Sequence, residues 1–262
     1  MQLRMEGRVA LVTGGSDGLG RAMSRRFAEC GADVALVART QSMLDDARDE
    51  IASATGQTVR AYSCDVSDAG QVGETFAAVC NDFGRVDILV NNAGTSQTGT
   101  FTEITDETWQ ADIDLKLMAA VRLCRLAIPG MQERRWGRII NVLNIGAKSP
   151  WGGSAPTAVT RAAGMALTKV LANEGASHNI LVNALCTGFI ESGQWVRRRE
   201  QLAPDTPMDK FLEDMAEERN IPLGRMGEAE EFANMACFLA SDAGSYITGT
   251  AINVDGGVCP VV

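Results

Sequence analysis

Aromatic side chains are scarce in this chain, at 5% of residues, and histidine occurs once, as His178. Basic runs are missing, and 24 basic against 33 acidic side chains leave a net charge of −9, which speaks against a general binder of the nucleic-acid backbone. No apolar stretch approaches the ~18 residues needed to cross a bilayer, so no membrane association is expected. The segment 1–8 carries charges but no apolar core ahead of a cleavage site, so a secretory signal is not expected. The seven cysteines are odd in number, scattered, and never spaced as C-x-x-C, which reads as reduced thiols in a cytosol rather than a disulfide framework. No metal site is expected, and His178 reads as a surface loop residue. A repeat of fixed period is absent, as is any Pro- or Ser-rich linker, so the 262 residues are expected to form one domain. Apolar residues at 45% and charged residues at 22% exclude wholesale disorder. A soluble cytoplasmic protein is the expectation.

What is present is a recurrence of short β-branched runs separated by helical stretches. The runs are Arg8–Thr13, Asp33–Ala38, Val59–Cys64, Val86–Asn91, Arg138–Asn144, Ile180–Leu185 and Thr250–Val254. Most are nearly continuous in apolar residues, as strands covered on both faces must be. Between the first two, Leu19, Ala22, Met23 and Phe27 share one helical face, and Gly31 provides a stop. Such units predict an α/β fold of Rossmann type, a doubly wound seven-stranded parallel sheet with helices on both sides. The rhythm breaks at 191–225, where charged helical stretches are bounded by Pro204, Pro207 and Pro222. This segment follows the sixth strand, at the ligand-facing end of such a sheet, and reads as a helical lid over a substrate pocket.

Thr13-Gly-Gly-Ser-Asp-Gly-Leu-Gly20 follows the first strand and opens the first helix. Glycines at 14, 18 and 20 permit a tight turn and close backbone approach, and the helix start attracts a pyrophosphate. Gly14, Ser16, Asp17, Gly18, Leu19 and Gly20 are therefore candidate cofactor contacts, in the strand–turn–helix context that a dinucleotide site requires. Where an NAD site would have an acidic residue, the second strand ends in Val37-Ala38-Arg39-Thr40. Arg39 suits a 2′-phosphate, while Asp17 places a negative charge near the same group, so NADP(H) is favoured with NAD(H) as the alternative.

The glycine loop, Cys64-Asp65-Val66, Asn91-Asn92-Ala93-Gly94 and Asn253-Val254-Asp255-Gly256-Gly257 together resemble the short-chain dehydrogenase/reductase family over essentially the whole chain. The resemblance implies that Asp65 and Val66 meet the adenine, that Asn91 braces the central sheet beside the cofactor, and that Ala93 and Gly94 lie against the cofactor. Gly188-Phe189-Ile190 with Ser192 is similar to the segment that meets the nicotinamide carboxamide, although Thr187 stands where the family usually has proline. It also implies a homo-oligomer, a tetramer or dimer, built on the long helices at Thr108–Gln132 and Ala158–Ala176.

The family's chemistry is hydride transfer on a hydroxyl/carbonyl pair, with a tyrosine as general acid or base, a lysine four residues on, a serine, and an asparagine on an earlier helix. By spacing these fall on Thr157, Arg161, Asn144 and Asp114, all of different kind. The only tyrosines, Tyr62 and Tyr246, have no lysine four residues later. Arg161 keeps a positive charge for ribose hydroxyls, and Asn144 keeps a hydrogen-bond donor for a substrate oxygen. Asp114 is expected to pair with Arg161 or Lys148. A threonine hydroxyl is far less acidic than a phenol, so a displaced proton donor is required, with Lys148 the first candidate and Asp114 acting through water the second. Cys186 reads as a buried inert thiol, and Trp151, Trp195 and Phe189 as an apolar wall for a small-molecule substrate. Three functions stay open: an atypical oxidoreductase, a cofactor-binding sensor, scaffold or partner subunit with little turnover, and a redox-neutral lyase or hydrolase reusing the pocket.

Overall fold

The computed structural model describes residues 3–262, the side chains of Gln194 and Arg197 excepted. Seven strands, β1 (Val9–Thr13), β2 (Asp33–Ala38), β3 (Val59–Ser63), β4 (Ile88–Asn91), β5 (Gly137–Asn144), β6 (Ile180–Thr187) and β7 (Ala251–Val254), form one parallel sheet in the order β3-β2-β1-β4-β5-β6-β7. Chain direction reverses its winding between β1 and β4, the point at which an open α/β sheet splays its connections and receives ligands. The four innermost positions of β2 and every residue of β1 and β4 are buried, as the continuous apolar runs require.

Helices cover both faces: α1 (Gly18–Glu29), α2 (Gln41–Thr55), α3 (Ala69–Phe83), α4 (Asp106–Ile113), α5 (Ala119–Arg134), α6 (Thr157–Gly175), α7 (Gly193–Leu202), α8 (Met208–Glu218) and α9 (Ala229–Ala240). One face packs Met23, Phe27, Leu44, Ile51 and Phe232 on β1, β2, β4 and β5; the other packs Val72, Val79, Leu123 and Met131. Each fully buried side chain of this size is worth ~1.5–3 kcal/mol, which fixes the sheet as the rigid base of the site. Between α4 and α5 the chain continues as a wider π-helical turn at Asp114–Met118, so the long helix expected from the sequence is interrupted. Such turns concentrate at functional sites because the extra residue per turn redirects side chains.

Segment 191–225 forms α7 and α8, whose Phe211, Leu212 and Ala216 make a small core of their own with Ile221, Met226, Phe189 and Trp195. No helix among the described residues is long and apolar enough to cross a membrane.

Candidate active site

A cavity of about 540 Å³ opens at the carboxyl ends of the strands. One side of its wall comes from the loops after β1, β2, β3 and β4, the far side from β5, the start of α6, and the β6–α7 connection. Of the expected contacts, Gly14, Ser16, Asp17, Gly18, Leu19, Arg39, Asp65, Val66, Ala93, Gly94, Asn144, Thr157, Arg161, Ile190 and Ser192 all line it. Gly20, Asn91, Asp114 and Lys148 are not among the lining residues.

The glycines have local reasons. A Cβ at Gly20 would sit 2.0 Å from the Gly14 carbonyl oxygen, and one at Gly14, whose φ is +65°, would sit 2.8 Å from Asn92 Nδ2. Gly20 thus shapes the turn from behind. At the start of α1 the Gly18 N–H donates to the Asp17 carboxylate at 2.8 Å and the Arg21 N–H to the Asp17 carbonyl at 3.2 Å. The amides of Leu19 and Gly20 make no hydrogen bond among the described residues, so an anion is the natural partner for this helix end. Arg39 is exposed at the end of β2, without an ion pair among the described residues. Asp65 accepts from the Ser67 hydroxyl at 2.7 Å and from the Ser67 N–H at 3.0 Å, and these bonds hold its carboxyl below the usual range. Asn91 is buried in the sheet and donates to Asn141 Oδ1 at 2.8 Å, tying β4 to β5. Its neighbour Asn92 is the one on the cavity wall, reaching the Thr13 carbonyl at 2.9 Å.

On the far side the π-helical turn changes the expected assignment. Asp114 faces away, paired with Arg122 at 3.0 Å and bonded by Gln110 at 2.8 Å, rather than with Arg161 or Lys148. Two residues on, Lys116 takes the inward position. Its side chain is fully buried, donates to Thr157 Oγ1 at 2.6 Å, and contacts the Asp112 carboxylate. Sequence spacing missed Lys116; the signal was a lysine set in the apolar run Leu115-Lys116-Leu117-Met118, four residues after Asp112. Lys148 ends the 3₁₀ turn that follows β5, outside the lining.

Burial lowers the Lys116 ammonium to about 8, with Asp112 opposing the shift and Arg161 assisting it. Thr157, one end of this chain of contacts, also accepts from the Gln97 N–H at 2.9 Å and donates to the Gln97 carbonyl at 2.7 Å. Its oxygen therefore stands between Lys116 and the cavity. Arg161 donates to the Val142 carbonyl at 2.7 Å, and its other terminal nitrogen lies where a Cβ on Gly94 would come within 2.5 Å. Burial brings this guanidinium down to about 10, still charged at neutral pH. Asn144 Oδ1 is buried with no partner among the described residues, an acceptor that a ligand would satisfy.

Phe189 and Trp195 pack edge to face at 6.3 Å and, with Trp151, give the cavity an aromatic wall. Cys186 is wholly buried, and burial pushes its thiol up to about 11, so it is protonated and inert. His178 is half-buried after α6, with the Ser177 hydroxyl 3.1 Å from its Nδ1.

A protein-family model described as enoyl-(acyl carrier protein) reductase matches residues 14–259. The 3-oxoacyl-[acyl-carrier-protein] reductase FabG of Thermotoga maritima is 36% identical over 259 residues, spanning 98% of this chain and 99% of its own. Acetoacetyl-CoA reductase of Shinella zoogloeoides is 36% identical over 250 residues, spanning 95% and 98%. Among solved structures, L-sorbose reductase from Gluconobacter frateurii, complexed with NADPH and L-sorbose, superposes with a TM-score of 0.95 at 38% identity, covering 100% of both chains. An NADPH-bound short-chain oxidoreductase from Pseudomonas aeruginosa PAO1, described as containing an atypical catalytic center, superposes with a TM-score of 0.92 at 35% identity, covering 99% and 100%.

Proposed function

Because this chain belongs to the short-chain dehydrogenase/reductase family, we propose that it is an NADP(H)-dependent oxidoreductase acting on a small alcohol or carbonyl compound, with Lys116 as its proton source and Thr157 as the relay. The observation that carries this reading is the 2.6 Å contact between Lys116 Nζ and a threonine hydroxyl on the cavity wall.

The residues present fit the cofactor. The glycine cradle and the free Leu19 and Gly20 amides suit a pyrophosphate, Arg39 suits a 2′-phosphate, and Arg161 suits ribose hydroxyls. When bound, the nicotinamide supplies or removes the hydride. The neighbours that hold NADPH support the phosphorylated form, as does the exposed Arg39 guanidinium, which has no ion pair among the described residues.

The chain's own residues then manage the oxygen of the substrate. Asn144 donates a hydrogen bond through Nδ2 and polarises the carbonyl. Thr157 turns its hydroxyl hydrogen from the Gln97 carbonyl to the developing alkoxide and takes a replacement proton from Lys116, so that neutral lysine remains. In the oxidising direction the same path runs in reverse, and Lys116 begins without its proton. Lys116 replaces Lys148 and Asp114 as the displaced donor, because it alone touches the residue at the tyrosine position. Segment 191–225 serves as the lid, with Trp195 and Phe189 over the substrate. Reduced thiols and the charged surface fit a cytoplasmic location, and exposed Val159 and Val170 on α6 support a homo-oligomer built on that helix.

Calorimetry with NADPH and NADH, followed by NADPH oxidation against a panel of ketones and aldehydes, tests the reading. Tight NADPH binding with turnover lost in both Thr157→Val and Lys116→Met is expected; turnover unaffected by either substitution removes the relay. A second reading rests on the Thr157 hydroxyl, whose donor and acceptor positions are already engaged by Gln97 and Lys116. A locked hydroxyl favours a cofactor-binding protein with little redox activity, and tight binding without turnover across the panel would establish it. No affinity for either nucleotide would shift the weight to redox-neutral chemistry.

A further inference from the structure

We propose that Asp112 is a positioning residue for this chemistry, a buried carboxylate that aims Lys116 at Thr157 and decides whether that lysine holds a proton at working pH. The inference rests on the Lys116–Thr157 relay just described.

Asp112 lies in α4, one turn before Lys116, and only 4% of it is exposed. Both carboxylate oxygens are engaged, and by different helices. Oδ1 meets Lys116 Nζ, while Oδ2 accepts from the Thr160 hydroxyl at 2.6 Å. Thr160 stands one position before Arg161 and three after Thr157, so the carboxylate pins the lysine-bearing helix to the first turn of α6. The lysine is thereby held between two fixed oxygens, Asp112 Oδ1 and Thr157 Oγ1, and its remaining freedom is small.

The charges facing Lys116 are two: Asp112 from its own helix and Arg161 from α6. Thr157 is neutral, and from the loop after β4 Gly94 lies near the lysine stem. Burial and Arg161 both expel the proton, so Asp112 is the one influence retaining it. Without this carboxylate, burial and the neighbouring arginine would act unopposed and the ammonium would hold its proton less firmly. With it, the ammonium survives to near neutral pH yet releases its proton readily. A buried ion pair is a poor contributor to stability, which points to a role other than holding the fold.

The test exploits a scarcity, since the chain has four lysines, Lys116, Lys148, Lys169 and Lys210. In the intact protein labelled with ¹³Cε-lysine, Lys116→Met identifies the signal of interest among the four. Asp112→Asn keeps the shape and an acceptor for Lys116 while removing the charge. The expected result is a fall of at least about tenfold in the proton affinity of Lys116, with the alkaline limb of ketone reduction moving down by the same amount. An unmoved Lys116 titration overturns the proposal, as does a moved titration with an unmoved rate profile. Thr160→Val provides a second arm of opposite sign, also available should Asp112→Asn fail to fold. Stripping one donor from the carboxylate concentrates charge on the oxygen facing Lys116, so its proton affinity should rise while kcat falls through lost aim. No change in either quantity counts against the proposal. The magnetic resonance arm reads the Asp112–Lys116 coupling even when no ketone is turned over, so failure of the oxidoreductase reading is seen separately, in the wild-type assay.

Discussion

At Thr157 a short aliphatic hydroxyl falls where the family's spacing puts a phenol, and in the proposed relay the deficit in acidity is met by Lys116, 2.6 Å away. Removing the hydroxyl with Thr157→Val should therefore cost about 10²–10⁴ in kcat, the usual worth of general acid–base catalysis, with the affinity for NADPH unchanged by calorimetry. The protonation sign follows from Lys116, whose ammonium burial brings down to about 8. Reduction needs the protonated form, so its rate should be level below about pH 8 and fall about tenfold per pH unit above it, while oxidation should rise to a plateau above the same point. A steady-state pH profile in both directions checks this. At the other end of the cavity, Arg39→Ala removes the guanidinium offered to a 2′-phosphate. NADPH binding should weaken about 10- to 100-fold and NADH binding barely change, as measured by titration calorimetry.

Whole elements were largely legible in the sequence, since strands buried on both faces announce themselves as apolar runs. Each of the seven runs became a strand with ends shifted by at most two residues, as at Val86, where the strand starts at Ile88, and Leu185, where it continues to Thr187. Most residues expected to meet a cofactor line the cavity, because they lie in short loops tied to those strands. The residue that reaches Thr157 was not foreseen. Spacing against the family's pattern put the asparagine position on Asp114, but the π-helical turn at 114–118 leaves Asp114 paired with Arg122 and turns Lys116 to Thr157 instead. Nothing in local residue preference reveals a wider turn, and the Asp112–Lys116–Thr157–Thr160 contacts join residues up to 48 positions apart. Segment 191–225, the proposed lid, is the other element with its own logic. Phe211 anchors a core separate from the sheet, so Phe211→Ala should remove about 3–5 kcal/mol of packing from that segment alone. A raised KM and faster proteolysis within 191–225 are expected, with the main thermal transition little moved.

At the scale of the whole molecule, exposed valines at 159 and 170 are set along α6, the helix that also carries Thr157 and Arg161. If the proposed homo-oligomer is built on α6, Val159→Glu together with Val170→Glu should yield a smaller species by light scattering, and because the same helix shapes the cavity, kcat should drop with it. The reversal of winding between β1 and β4 has a mechanical side as well. Strands β1 to β3 with their helices form one flank and β4 to β7 the other, and the two meet along a seam made of the β1–β4 ladder and of the packing of α1 on α9 and α3 on α5. A molecule gripping the Arg39 loop at one end and Arg161 at the other would act as a clasp over that seam. Amides in both flanks, including those far from the cavity, would then exchange with solvent more slowly together, because either half could open only after the clasp let go.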